Sequence, residues 1–201
     1  MEPNAKETAS NQEAAPGKRT LVQEKKKGLQ IRDILLVAIL LAAGIVLKFF
    51  VGSVINFGIK PNFIIAMYCL AILLIKPGLI EAAIIGILAG AISQFFPGQP
   101  YLNLASEPIG AVAMCLLARI PMEKAKIPIK PLIITFITTV VSGFVFVGLM
   151  YVLYYVRPTM LHGKPAALAV FAGVVFGTAI INAVIVQVLY IPLRLALKKS
   201  A

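Results

Sequence analysis

Polar side chains that could bind a ligand are few in this sequence, and most of them stand at the ends of long apolar runs. They comprise one cation, one carboxylate, several amides and two aromatic rings: Lys60, Asn62, Phe96, Gln99, Asn103, Glu107, Tyr151 and Asn182. Polar groups within or beside a membrane are costly to bury and are therefore often functional. This set suits a small zwitterion with a ring, because Lys60 would bind a carboxylate, Glu107 an ammonium, and Phe96 or a tyrosine the ring.

Each candidate also has a purely structural interpretation, and at the level of sequence both interpretations are open. Asn103 could cap the helix that follows it, and Glu107 could be a first-turn carboxylate that the helix dipole favours. Tyr151 could belong to an interfacial aromatic belt, and Lys60 could anchor a helix at the membrane surface. Asn182 lies deeper in an apolar run, where its amide needs a partner from another helix or from a ligand.

Signatures of enzyme chemistry and of a cofactor site are absent from the sequence. It contains neither a P-loop nor an H-E-x-x-H motif, and His162 is its single histidine. Cys69 and Cys115 lie within apolar runs and form no metal-binding spacing. Glu81 begins a predicted helix and is interpreted as a first-turn carboxylate, outside any site. We therefore expect no enzyme, no metal, no cofactor and no ATPase motif of the chain's own.

The composition places these candidates in a membrane protein. Of the 201 residues, 60% are apolar and 13% are charged, and the mean hydropathy is +0.93. A soluble domain is about 45–50% apolar and about 25% charged, so this chain is too apolar for a soluble globule of its size. The apolar runs are continuous rather than alternating, which favours helices over a barrel.

Six apolar runs predict an all-α protein with six transmembrane helices, at residues 31–51, 61–75, 79–96, 104–120, 131–156 and 166–197. A span needs roughly 17–25 residues, so the second run is short and is expected to be tilted or partly buried in protein. Residues 1–29 are polar and basic, and we expect them to form a disordered cytoplasmic tail. Residues 30–197 then form the substrate-binding membrane domain.

The basic residues predict the orientation of the bundle. With the N-terminus in the cytoplasm, four of the 19 Lys and Arg residues fall at or near the outer side, namely Lys48, Lys60, Arg157 and Lys164, and the other 15 fall inside. This split predicts that both termini face the cytoplasm, since cytoplasmic loops carry the excess of basic residues. The asymmetry also accounts for the net charge of +11 without a nucleic-acid partner.

Small residues repeat every four positions on three predicted helices, in the ridges Ala38–Ala42, Gly86–Gly90 and Ala169–Gly173–Gly177. Such ridges let helix backbones approach closely in a membrane, where apolar side chains gain little by leaving lipid. We expect the two glycine ridges to pack inside the bundle. The alanine ridge could pack inside or bind a partner.

The order of several short stretches resembles one known family. Six short spans, the basic tail and the Ala38–Ala42 ridge resemble the substrate-binding S components of energy-coupling factor (ECF) transporters. More narrowly, the chain resembles the bacterial tryptophan transporter family TrpP. The stretches that carry this resemblance are residues 57–63, residues 96–100 with Asn103, residues 141–143 and residues 179–182.

The resemblance implies a multi-pass protein of the bacterial cytoplasmic membrane, surrounded by lipid, that takes up tryptophan or a related aromatic solute. It also implies partners: an ECF T component, which the Ala38 and Ala42 face would contact, and two ATPases that supply the energy. Two alternatives remain. One is an S component for a vitamin such as cobalamin, thiamine or a biotin-like compound. The other is an ion-coupled secondary transporter that works alone, for which Glu107 would be the intramembrane carboxylate.

Overall fold

The computed structural model of the chain describes residues 28–54, 61–96, 99–122, 129–160 and 167–199. Every regular element in these ranges is helical, which confirms the predicted all-α class. Three 3₁₀ turns, Ser93–Phe95, Pro100–Leu102 and Pro158–Met160, accompany six α-helices. The helices are α1 (Ile31–Val54), α2 (Ile64–Ile75), α3 (Leu79–Ile92), α4 (Asn103–Arg119), α5 (Lys130–Val156) and α6 (Leu168–Lys199).

Each helix coincides with one predicted apolar run, because long continuous apolar stretches satisfy their backbone only as helices. Three of the helices, α1, α5 and α6, are long and apolar enough to cross a membrane. Many large apolar side chains of these helices are exposed, among them Ile39, Phe50 and Val188. Six spans and the inward position of both termini stay predictions. Of the predicted tail, residues 1–29, only residues 28 and 29 belong to the part that the structure describes.

The short helix α2 is the centre of the bundle. It has 12 residues, and every side chain from Ile64 to Leu73 is buried. Helix α2 packs against all five other helices. A helix that is apolar on all sides belongs in the interior, so the short second run is explained by burial in protein.

The junction between α2 and α3 is fixed by local signals at their ends. Lys76 ends α2 in the left-handed conformation, with φ of 55°, and its backbone N–H donates to the Ile72 carbonyl. The backbone N–H of Gly78 donates to Oε2 of Glu81 at 2.7 Å. This contact confirms Glu81 as a first-turn carboxylate, because it satisfies a backbone donor at the start of α3.

Helices α3 and α4 touch backbone to backbone along the first glycine ridge. A Cβ on Gly86 would lie 2.5 Å from the Pro108 Cα, and one on Gly90 would lie 2.7 Å from the Asn103 carbonyl oxygen. Only a residue without a side chain fits at these two positions. The predicted packing role of the Gly86–Gly90 ridge is confirmed, and this contact places the start of α4 beside α3.

The prediction of internal packing was wrong for the second glycine ridge. A Cβ on Gly173 or Gly177 would meet no atom within 4 Å in the described part of the chain. Helices α5 and α6 instead approach at Gly143, whose Cβ would lie 2.8 Å from a methyl carbon of Val175. Because almost every face of α6 is apolar, the small residues alone do not reveal which face turns inward.

Candidate functional site

A group of polar side chains lies inside the apolar bundle, where four helices meet. We call Asn62, Glu107, Thr139, Ser142 and Asn182 the buried polar cluster. Asn62 comes just before α2, Glu107 lies on α4, Thr139 and Ser142 lie on α5, and Asn182 lies on α6. Glu107 is 1% exposed and Asn182 is fully buried. Polar groups this deep are costly unless they are bonded, so their partners define what the cluster can do.

Both carboxylate oxygens of Glu107 accept hydrogen bonds from residues outside α4. The Asn62 side-chain amide donates to Oε1, and the Ser142 hydroxyl lies 3.2 Å from Oε2. The same hydroxyl lies 3.3 Å from the Ser106 carbonyl oxygen as an alternative acceptor. The first-turn interpretation of Glu107 was wrong. Helix α4 begins at Asn103, so Glu107 belongs to its second turn and faces the interior rather than the orphan N–H groups.

Asn182 ties α6 to α2 and α5. Its side-chain amide donates to the Asn62 carbonyl oxygen at 3.1 Å and to the Thr139 hydroxyl oxygen at 3.4 Å. Of the two partners expected for this deep amide, another helix or a ligand, the structure shows the first, because Thr139 lies on α5. Three residues that were selected from sequence alone, Asn62, Glu107 and Asn182, therefore lie together in one network.

The cluster contains more acceptor atoms than the described protein donors satisfy. Oδ1 of Asn62 and Oδ1 of Asn182 are buried and accept no hydrogen bond from the described residues. The Tyr68 hydroxyl lies beside Glu107 and Ser142 without forming a well-aligned hydrogen bond to either. Most buried polar atoms in proteins are bonded, so such orphans need an explanation. Two amide oxygens next to a carboxylate form a surface that suits a hydrogen-bond donor with positive charge.

A buried cation, Lys48, lies on α1 beside Phe96, which follows α3. Lys48 is only 6% exposed, and its Nζ lies 4.6 Å from the centre of the Phe96 ring. The ring face attracts the ammonium and so lowers the cost of burying it. The structure thus places a positive and a negative group inside one apolar bundle.

Aromatic rings contact two further candidate residues, Gln99 and Tyr151. The Tyr101 hydroxyl donates to Oε1 of Gln99 at 2.6 Å. Tyr151 packs edge-to-face on Phe171, with ring centres 6.2 Å apart. Tyr101 and Tyr151 pack against the same apolar cluster, which includes Leu102, Val147, Met150, Phe171 and Val175. Tyr151 thus packs within the protein, and only its neighbour Tyr155, at 78% exposed, resembles a residue of an interfacial belt.

The remaining predicted residues are separate from the cluster or lie outside the described ranges. Asn103 does not cap α4, since it is the first helical residue and Leu102 occupies the cap position. The Asn103 side chain is 9% exposed, next to the contact of α4 with α3. Ala38 and Ala42 are exposed on α1. Lys60 lies outside the described residues.

Comparison with known proteins decides the family. The profile of the family described as "Tryptophan transporter TrpP" matches residues 30–198. The chain belongs to this family. Membership in TrpP confirms the family resemblance, which was based on residues 57–63, residues 96–100 with Asn103, residues 141–143 and residues 179–182. It also indicates a membrane transport protein rather than an enzyme.

Two relatives of this TrpP chain are similar along most of their length, and each is named "Probable tryptophan transport protein". The relative from Clostridium acetobutylicum is 28% identical over 176 residues, which cover 86% of this chain and 95% of the relative. The relative from Bacillus subtilis is 25% identical over 177 residues, which cover 86% of this chain and 96% of the relative. No solved structure matches the chain significantly.

Three residues that the structure places in or beside this TrpP site were not selected from the sequence: Lys48, Thr139 and Ser142. The distribution of basic residues places Lys48 near the outer side, but Lys48 also lies within the first apolar run. A cation inside an apolar helix is a candidate functional group by default, and that signal was available. Ser142 carried no such signal, because a serine in an apolar helix also satisfies itself on its own backbone.

Proposed function

We propose that this chain binds tryptophan, or a related aromatic amino acid, at the buried polar cluster and serves its uptake across the cytoplasmic membrane. The observation that supports this proposal is the convergence of Asn62, Glu107, Ser142 and Asn182 in a chain of the TrpP family. A carboxylate that is held by two donors and flanked by spare amide oxygens suits the ammonium group of an amino acid.

The residues proposed to bind the substrate remain those selected from the sequence: Lys60, Asn62, Phe96, Gln99, Asn103, Glu107, Tyr151 and Asn182. Glu107 would accept hydrogen bonds from the ammonium, and Oδ1 of Asn62 and of Asn182 would accept the remaining ones. The aromatic rings of Phe96 and Tyr151 would contact the ring of the substrate.

Uptake by cells tests the proposed function. Cells that lack their own tryptophan uptake should accumulate radiolabelled tryptophan when they express this chain with its partner subunits. Unlabelled tryptophan should compete, whereas cobalamin, thiamine and biotin should not. Competition by one of these vitamins instead of tryptophan would contradict the proposed substrate and support the vitamin alternative.

We further propose that the chain is an S component, energised by an ECF T component and two ATPases. The surface of α1 supports this proposal. Val37, Leu40 and Leu41 of α1 are buried against the bundle, whereas Ala38 and Ala42 are exposed on another face. Small exposed residues at this spacing would let a helix of a partner approach the α1 backbone closely.

Replacing both Ala38 and Ala42 with leucine should abolish uptake and leave tryptophan binding unchanged. The added side chains would project from an exposed face, so the bundle can accommodate them while a closely packed partner cannot. Uptake in cells and binding by the purified protein are the two measurements. Ala169→Leu, at an exposed small residue of α6, is the matched control and should retain both activities.

The double alanine variant also has an outcome that would contradict the proposal. Uptake at the level of the unmodified chain would show that no partner approaches α1 along this ridge. Loss of binding together with uptake would indicate that Ala38 and Ala42 support the fold of the chain itself.

A second candidate function, an ion-coupled transporter that works alone, is favoured by one observation. Glu107 is a carboxylate buried among several packed helices, and buried carboxylates of transporters can carry protons. Liposomes that contain only this chain distinguish the two functions. Tryptophan accumulation driven by an imposed proton gradient would support the ion-coupled function, and its absence would support dependence on partner subunits.

A further inference from the structure

The Tyr68 hydroxyl is buried in the centre of the bundle without a hydrogen-bond partner among the described residues. Tyr68 lies on α2, and its whole side chain is buried. A buried tyrosine hydroxyl usually finds a partner, because leaving it unpaired costs free energy. The proposed function gives this hydroxyl no role, so its surroundings show what it could bind.

Gly110 on α4 provides the space that this hydroxyl occupies. A Cβ on Gly110 would overlap the Tyr68 hydroxyl oxygen, and it would lie 2.9 Å from Cβ and 3.2 Å from Oγ of Ser142. The hydroxyl therefore meets both α4 and α5 at the position where Gly110 has no side chain. Gly110 comes three residues after Glu107, and residues at this spacing are neighbours on one face of a helix. The hydroxyl thus lies beside the turn of α4 that carries the Glu107 carboxylate.

Two of the described side chains, Glu107 and Ser142, interact with the Tyr68 hydroxyl and could accept its proton. The Ser142 hydroxyl lies 3.2 Å from Oε2 of Glu107 and 3.3 Å from the Ser106 carbonyl oxygen. An ionised carboxylate has about four acceptor positions, and Asn62 and Ser142 use two of those on Glu107. A hydrogen bond to a carboxylate is about twice as strong as one to a neutral oxygen. Glu107 is therefore the better acceptor for the Tyr68 hydroxyl.

We propose that Tyr68 is a positioning residue, whose hydroxyl donates to the Glu107 carboxylate and is held in place by the space at Gly110. Donors from Asn62, Tyr68 and Ser142 then fix the carboxylate between α2, α4 and α5. They leave acceptor capacity on Glu107 for the ammonium of an amino acid. This inference rests on the proposed function and adds a residue to it. Tyr68 acts through Glu107 and does not itself contact the substrate.

Tyr68→Phe removes this hydroxyl and keeps the ring that packs in the core. The variant should weaken tryptophan binding by about 3- to 10-fold, which is the effect of one lost hydrogen bond. Tyr155→Phe, at an exposed tyrosine near the end of α5, is the control and should bind tryptophan like the unmodified chain. Titration of the purified, folded variants with tryptophan is the measurement. An unchanged affinity of Tyr68→Phe would overturn the inference.

Combining Tyr68→Phe with Glu107→Gln separates a positioning role from a purely structural one. If Tyr68 acts through the carboxylate, Tyr68→Phe should change the affinity for tryptophan by at most about twofold in a chain that already carries Glu107→Gln, because residues that act together are not additive. An equal loss of affinity with and without the carboxylate would assign Tyr68 to the fold alone and would overturn the inference.

Gly110→Ala tests the position of the hydroxyl without any substrate. The added methyl group should lower the melting temperature by roughly 2–12 °C, as overpacking does in a chain of this size. Adding Tyr68→Phe should restore part of this loss, because the oxygen that the methyl group would overlap is then absent. If Gly110→Ala alone does not fold, recovery of folded protein in the double variant is the same restoration.

The two sets of measurements distinguish failure of the inference from failure of the proposed function. No restoration by Tyr68→Phe would overturn the position of the hydroxyl at Gly110, and the inference with it. Restoration in a folded chain that does not bind tryptophan would instead contradict the proposed function, and Tyr68 would then have no substrate to position.

Discussion

Replacing Glu107 with glutamine should weaken tryptophan binding by roughly 30- to 100-fold while the protein stays folded. Removing one charge of a buried, hydrogen-bonded pair costs about 2 kcal/mol or more, and 1.4 kcal/mol corresponds to a tenfold change in affinity. Glutamine has nearly the same shape as glutamate, and its oxygen can still accept a hydrogen bond from Asn62 or Ser142. The loss would therefore reflect the charge rather than the packing. Titration of the purified variant with tryptophan is the measurement.

The control for Glu107→Gln is the same substitution at Glu81. Glu81 bonds the Gly78 backbone at the start of α3, and a glutamine there can accept the same hydrogen bond. Glu81→Gln should therefore bind tryptophan like the unmodified chain. Equal affinities of Glu107→Gln and the unmodified chain would show that the carboxylate does not contact the substrate.

A single methyl group on Gly86 should destabilise the whole bundle. A Cβ at this position would lie 2.5 Å from the Pro108 Cα and 2.7 Å from the Glu107 carbonyl oxygen, and both of these atoms belong to the backbone. Backbone atoms cannot move aside as a side chain can, so Gly86→Ala must separate α3 from α4. Overpacking costs about 1–3 kcal/mol, which lowers the melting temperature of a chain this size by roughly 2–12 °C.

Gly148→Ala provides a matched comparison for Gly86→Ala. A Cβ on Gly148, in α5, would meet no atom within 4 Å. Alanine favours a helix over glycine by about 1 kcal/mol, so this variant should melt at the same temperature or slightly higher. Thermal melting of the two variants in detergent is the measurement. Equal melting temperatures would contradict the close contact between α3 and α4.

The Gly86 variant should also weaken tryptophan binding, because the displaced backbone carries Glu107. Gly86 packs on the Glu107 carbonyl, so separation of α3 from α4 shifts the carboxylate relative to Asn62 and Ser142. Loss of stability with full retention of affinity would show that the cluster tolerates movement of α4.

The positions of the helices could be predicted from the sequence, whereas the rotation of each helix about its axis could not. Continuous apolar runs predict helices because the backbone in an apolar medium has few other ways to bond. Lipid and the protein interior are both apolar, so most side chains do not reveal whether they face the lipid or the interior. The Gly86–Gly90 and Gly173–Gly177 ridges therefore look alike in sequence, although among the residues that the structure describes only the first ridge is packed.

The candidate site was predicted in part, for a physical reason. Asn62, Glu107 and Asn182 could be found because their polarity is costly within an apolar run, which makes it conspicuous. The alternative interpretation of Asn103 as a helix cap was wrong, because the start of a helix is uncertain by one or two residues in sequence and Leu102 occupies the cap position. Lys48 was missed because a lysine near the end of a helix can snorkel, and only the fold shows that this one turns inward.

Direct binding of tryptophan to the purified full-length chain tests the central claim. The chain contains no tryptophan, so the indole fluorescence of the sample comes from the ligand alone when tyrosine is not excited. The account predicts saturable binding at micromolar tryptophan, with increased fluorescence anisotropy and a blue-shifted emission as the ring enters an apolar site. It also predicts that Glu107→Gln abolishes this signal at the same concentrations. No saturable signal from the folded, unmodified chain, or an equal signal from Glu107→Gln, would contradict it.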